Sequence, residues 1–217
     1  MGRFEHIFFD LDGTLTDPAE GITNSIAYVL DYYKIDYPSK KALERHIGPP
    51  LHKTFITEYG FDENSAELAI QKYREYFSDK GIFENRLFDG IPEMLSGLKA
   101  KSKKIYLATS KPQYYAKKIL EHFDIAKYFD FVSGCELDGT RSQKTEVIEH
   151  ICENVGLKDL SSSVMVGDRK YDIEGAHHFG MPCIAVLFGY GSMEEFKEAK
   201  ADYIVESVEE LYNLLIS

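Results

Sequence analysis

Near the N-terminus, Phe8-Phe9-Asp10-Leu11-Asp12-Gly13-Thr14 sets two carboxylates at the end of an apolar run. Ile7 to Phe9 is uniformly apolar, the pattern of a buried strand. Side chains at i and i+2 of a strand point the same way, so Asp10 and Asp12 converge on one small volume beyond the sheet edge. Gly13 follows, where the chain must turn sharply and where backbone amides can approach an anion. Two carboxylates that close repel each other, and one takes up a proton unless a cation lies between them. A divalent metal is the natural remedy, and Mg2+ takes carboxylate, carbonyl, water and phosphate oxygens.

The rest of the chain falls into two styles. Thr16-Asp17-Pro18 reads as a helix start, with Asp17 as N-cap and Pro18 at the first helical position. Ile22, Ile26, Val29, Leu30 and Tyr33 then recur at helical spacing. Further helices are predicted over 39–46, 51–59 and 65–78, with no strand before about Phe88. From Pro92 onward, strands predicted at 104–109, 129–133, 163–166, 184–187 and 203–205 alternate with helices, among them one over 144–155. Such alternation predicts an α/β fold, a parallel sheet with helices on both faces. The all-helical stretch interrupts it, so residues 1–16 and 89–217 are expected to form one α/β core, with 17–88 inserted as a helical cap.

A chain of 217 residues can bury a substantial core, and 28% charged residues are ordinary for a globular protein. The net charge of −11 argues against a nucleic-acid or anionic membrane partner. It leaves room for a small anionic substrate held by a metal and one or two cations. No early apolar segment is long enough for a signal peptide or a membrane span. Cys135, Cys152 and Cys183 are odd in number and unpaired in spacing, which suits reduced core thiols and a cytoplasmic location.

In an open parallel sheet, ligands bind beyond the carboxyl ends of the strands, and three later strand ends carry suitable chemistry. One ends in Thr109-Ser110-Lys111, where a hydroxyl and backbone amides suit phosphoryl oxygens. Another ends in Gly167-Asp168-Arg169-Lys170-Tyr171-Asp172, with two carboxylates four residues apart. Between them, the basic loop Gly139-Thr140-Arg141-Ser142-Gln143 enters a helix at Lys144, a cation able to neutralise a phosphate and Asp10. Singly, each has a plainer role: Thr109 or Ser110 as a helix cap, Lys144 as a solvated lysine, Asp168 and Asp172 as acids at a helix N-terminus.

Together, the four motifs in this order resemble the haloacid dehalogenase superfamily, whose members are mostly Mg2+-dependent phosphatases. The resemblance covers the whole chain and implies a three-layer, Rossmann-like core. The position of the inserted helices resembles the phosphoglycolate phosphatase-like branch. It implies Asp10 as nucleophile, Asp12 as acid and base, and Lys144, Thr109, Ser110 and Lys111 around the phosphoryl group. Mg2+ would be held by Asp10, the backbone carbonyl of Asp12 and Asp168, with Asp172 orienting its water. The implied partner is a small phosphorylated metabolite, and the implied state is a monomer.

The substrate guess rests on local features. Gly139-Thr140-Arg141-Ser142, Gly167-Asp168-Arg169-Lys170 and Gly189-Tyr190-Gly191 resemble the 5′-nucleotidase-like subgroup. Typical phosphoglycolate phosphatases carry a proline directly after the third-motif lysine, where Thr145 stands here. A phosphoglycolate phosphatase, a sugar phosphomutase and a catalytically silent binding module are the alternatives. Thr14 and Ile22 depart from the phosphomutase pattern, and no motif carboxylate is missing as a silent module would require. The loop His46-Ile47-Gly48-Pro49-Pro50-Leu51 stands where the branch places a specificity loop, and equally reads as a plain turn. Arg45, His46 and His52 are within reach of a substrate, though lone residues of these types on a helical hairpin are expected to face solvent, and His177-His178 to be structural.

Overall fold

The computed structural model describes residues 3–217. The first strand, β1 (His6–Phe9), is the apolar run expected from the sequence, and Ile7, Phe8 and Phe9 are fully buried. A two-residue strand β2 (Thr16–Asp17) leads into α1 (Ala19–Tyr33). A short 3₁₀ segment (Lys41–His46), α2 (Leu51–Tyr59) and α3 (Glu63–Tyr76) follow, then a single π-type turn at Phe77–Gly81. After β3 (Arg86–Leu87) the chain alternates through α4 (Ile91–Ala100), β4 (Lys104–Pro112), α5 (Gln113–His122) and β5 (Phe131–Cys135). It continues through α6 (Lys144–Val155), β6 (Ser163–Gly167), α7 (Lys170–His178) and β7 (Cys183–Val186). It closes with α8 (Met193–Glu198), β8 (Tyr203–Val205) and α9 (Val208–Ile216).

Among the described residues, six strands make one parallel sheet in the order β5-β4-β1-β6-β7-β8. Strands of such a sheet are covered on both faces and are apolar throughout. Phe8, Tyr106 and Met165 point to one face, where they join Ile148 and Ile151 of α6, Ile173 of α7 and Phe196 of α8 in one buried cluster. The alternate residues Ile7, Leu107 and Val166 are buried just as completely. On that second face α4 and α9 pack together and bring Leu95, Leu98, Leu211 and Leu215.

The chain divides into two compact units, Met1–Asp17 with Leu87–Ser217, and Pro18–Arg86. The second is helical and has its own core. Within it, α1 packs on α3, and α2 on α3. Ile26, Leu30, Phe55, Ala66 and Ala69 are fully buried there, and the Phe55 and Phe61 rings stack at 5.8 Å.

Several local expectations are corrected. Asp17 does not cap α1. The N-cap is Pro18, with no side-chain cap bond, while Asp17 is extended in β2 and accepts from the Tyr190 hydroxyl. A long-range hydrogen bond has displaced the local capping option. Residues 41–46 coil as 3₁₀ because i−3 bonds such as Leu43 N to Lys40 O (2.9 Å) suffice for so short a piece. The helix expected at 65–78 starts earlier, since the Asp62 carboxylate caps the Ser65 amide at 2.7 Å. His46 is buried rather than solvent-facing, with its Nε2 2.9 Å from the Tyr59 hydroxyl. The strand expected at 129–133 lies at 131–135, after a 3₁₀ turn over Ala126–Tyr128.

Phe8 sits in the central strand, with its ring 4.9 Å from that of Tyr106. Phe8→Ala removes a fully buried ring and is expected to cost about 3–5 kcal/mol of stability. The loss should read as a lower urea midpoint at an unchanged m-value in equilibrium unfolding.

Candidate active site

The sheet grows outward from β1 in both directions, β4 and β5 on one side and β6 to β8 on the other. A switch point of this kind leaves a crevice beyond the strand ends. Phe9 is level with Leu107 of β4 and with Val166 of β6. The residues that follow these three therefore emerge together. They include Asp10, Thr109 and Asp168.

Lys144, the first residue of α6, binds the group together. Its ammonium donates to Asp10 Oδ1 (2.9 Å) and to the Ala108 carbonyl (2.7 Å), and lies 2.7 Å from Asp172 Oδ1. Two hydrogen bonds and one ion pair thus hold the ammonium in place. Burial, which leaves Lys144 6% exposed, pulls its pKa down. The charges of Asp10 and Asp172 outweigh that effect and hold the pKa above the usual lysine range.

Asp10, Asp168 and Asp172 each present an oxygen, and these lie within 4.8 Å of one another. Asp168 and Asp172 are 1% exposed. Burial first, then the charges of Asp172 and Asp10, push the Asp168 carboxyl well above its ordinary pKa. For Asp172, burial likewise raises the pKa, with Lys144 opposing it and Asp10 adding to it. Asp168 Oδ2 accepts from the Tyr190 amide at 2.8 Å, whereas its buried Oδ1 has no hydrogen-bond partner among the described residues. A buried acceptor lacking a donor, beside two more carboxylates, fits a hard divalent cation with oxygen ligands.

Asp12 lies next to this trio, close enough for the charge of Asp10 to raise its pKa, though burial is the larger cause. Lys111 opposes both, with its Nζ 2.6 Å from Asp12 Oδ2. Thr109 is buried and its Oγ1 accepts from the Lys111 amide at 3.2 Å. Register against β5 shifts between Ala108 and Pro112, the kind of irregularity that re-aims side chains. Thr109, Ser110 and Lys111 all fall within it.

The turn Gly189-Tyr190-Gly191 after β7, which the sequence tied only to the substrate class, is part of the site. Gly13 turns with φ +82°, and a Cβ there would overlap the Asp168 carboxylate. A Cβ on Gly189 would overlap Asp168 and the Gly13 carbonyl in the same way. Two glycines remote in sequence thus let two loops close around one carboxylate. The visible signal was a pair of glycines after a strand, which alone says little. His177 lies outside this group, with its Nε2 2.9 Å from Asp202. Arg45 and His52, in the helical unit, pair with Glu58 (3.3 Å) and Glu63 (3.2 Å).

Comparison with known proteins shows the family. The sequence profile of haloacid dehalogenase-like hydrolases matches residues 7–186. A 5′-nucleotidase of Pseudomonas aeruginosa is 47% identical over 195 residues, covering 90% of this chain and 88% of that protein. Tyrosine-protein kinase PtkA of Mycobacterium tuberculosis is 39% identical over 186 residues, covering 85% of this chain and 62% of that protein. The crystal structure of a predicted phosphatase from Clostridium acetobutylicum superposes with a TM-score of 0.93 at 47% identity, covering 97% of each chain. The chain belongs to the haloacid dehalogenase-like hydrolases.

Proposed function

We propose that this phosphatase hydrolyses the phosphomonoester of a small metabolite, a nucleoside 5′-monophosphate, through an aspartyl-phosphate on Asp10. Mg2+ would be held by Asp10, Asp168 and the backbone carbonyl of Asp12, with Asp172 beside it. The observation that carries the proposal is the carboxylate trio within 4.8 Å, anchored by Lys144. Bound Mg2+ supplies positive charge that offsets the charge on the attacking and transferring oxygens.

The chain's own residues supply the remainder. The Asp10 oxygen attacks phosphorus in line, forming the O–P bond as the ester O–P bond breaks. The leaving oxygen takes a proton from Asp12, whose burial favours the protonated carboxyl. Asp12, now a carboxylate, accepts a proton from the water that attacks the phosphorus and releases Asp10 and inorganic phosphate. Lys144, Thr109 and the Ser110 amide bind the phosphoryl oxygens. Lys111, paired with Asp12, is a second cation near the leaving group.

The 47% identical 5′-nucleotidase supports a nucleotide substrate, as do the three local features shared with that subgroup. Thr145, where a phosphoglycolate phosphatase carries proline, weighs against 2-phosphoglycolate. Hydrolysis rates with nucleoside monophosphates, 2-phosphoglycolate and hexose phosphates, in the presence of Mg2+, test the choice. A kcat/KM for 2-phosphoglycolate above that of every nucleotide overturns it.

Asp10→Asn is expected to lower kcat on p-nitrophenyl phosphate on the order of 10³-fold or more, with an unchanged far-UV spectrum. Substantial residual turnover would remove Asp10 as nucleophile. Lys144→Ala leaves Asp10 and Asp172 without their buried counter-charge. In metal-free buffer it is expected to cost about 3–5 kcal/mol in chemical unfolding.

A further inference from the structure

The turn Gly189-Tyr190-Gly191 makes two hydrogen bonds that the chemistry above does not use directly. The Tyr190 amide donates to Asp168 Oδ2 at 2.8 Å, and the Tyr190 hydroxyl donates to Asp17 Oδ1. The flanking glycines press the turn onto the same carboxylate. A Cβ on Gly189 would overlap the Asp168 side chain, and one on Gly191 would overlap the Asp168 carbonyl and the Phe196 ring. Asp17 is the last residue before the helical unit begins at Pro18.

We infer that Tyr190 is a positioning residue that holds Asp168 in its metal-ligating orientation and ties that orientation to Asp17. The inference rests on the Mg2+ assignment proposed above. An amide in a turn packed this closely on one oxygen holds the carboxylate against rotation, which keeps the other oxygen, Oδ1, available as the ligand. The hydroxyl-to-carboxylate bond is charge-assisted and therefore among the stronger neutral-to-ion contacts. It anchors the tip of the turn to β2, at the passage out of the α/β unit. Occupancy of the metal site and the position of β2 are then linked, and linkage is reciprocal. A packing turn with no such role would affect folding stability and leave metal affinity unchanged.

Isothermal titration of the full chain with MgCl2 separates the two. Five proteins are compared: wild type, Asp168→Asn, Tyr190→Phe, Asp17→Asn and the Tyr190→Phe/Asp17→Asn double variant. Tyr190→Phe keeps the backbone amide and the glycine-bracketed turn and removes only the hydroxyl. It is expected to weaken Mg2+ binding about tenfold, the usual size of an outer-contact effect on a metal. Asp17→Asn should do the same, and the double variant should be no worse than either single, the signature of one shared interaction. Mg2+ affinity within about twofold of wild type in Tyr190→Phe, or additive losses in the double variant, overturns the inference. Should Tyr190→Phe fail to fold, Asp17→Asn alone carries the comparison on the same thresholds. Asp168→Asn reports separately on the site itself. Undiminished Mg2+ binding by that variant overturns the metal assignment, whatever the tyrosine does.

Discussion

A single ammonium makes the arrangement possible. Asp10 comes from the end of β1 and Asp172 from the first turn of α7, and both are almost wholly removed from water. Two carboxylates in that setting repel at short range in a medium that screens poorly. Lys144 lies between them, donating to Asp10 and to the Ala108 carbonyl and ion-paired with Asp172. Lys144 opens α6, and its stem runs along a helix whose apolar face is part of the main core. The charge network and the hydrophobic packing are therefore built on the same element, and neither can be shifted without the other.

That network is balanced only in part, which explains how an acidic protein can handle an acidic substrate. The chain carries a net charge of −11, and at physiological salt, charges farther than about 8 Å from the substrate are largely screened. On the proposed function, what the phosphoryl group would meet is local. Lys144 and Lys111 stand against Asp10, Asp12 and Asp172, and Asp168 holds an oxygen with no donor. On the proposed function, this local negative excess would draw a divalent cation, and the cation in turn would make the pocket attractive to phosphate.

Much of this was legible in the sequence because it obeys local rules. The apolar run 7–9, the strand–helix alternation after residue 90 and the helix over 144–155 follow from periodicity and capping signals. The boundaries of α6, α2 and β8 match the expected spans residue for residue. The four strand-end motifs were readable because a parallel sheet must present its carboxyl ends together. The parts that were not legible depend on partners far away in sequence. Asp17 and Pro18 carry every local sign of a capped helix start, yet a tyrosine 173 residues later claims the aspartate. His46 looked like a surface histidine because nothing near it in sequence advertises Tyr59 as its partner. Gly189 is an ordinary loop glycine until its neighbours in space are known.

The same contrast bears on how the site tolerates its own cost. Asp168 and Asp172 are buried carboxylates whose surroundings favour the proton, so in the absence of a cation they oppose the fold. Such groups persist only where the rest of the structure determines their position independently. The level ends of β1, β4 and β6 fix the backbone beneath them, since each pairing is set by side chains buried on both faces. The loops above are held by close backbone approach at Gly13 and Gly189, which no side-chain rearrangement can relieve. On the proposed function, carboxylates that the sheet brings this close together are what would draw the cation in.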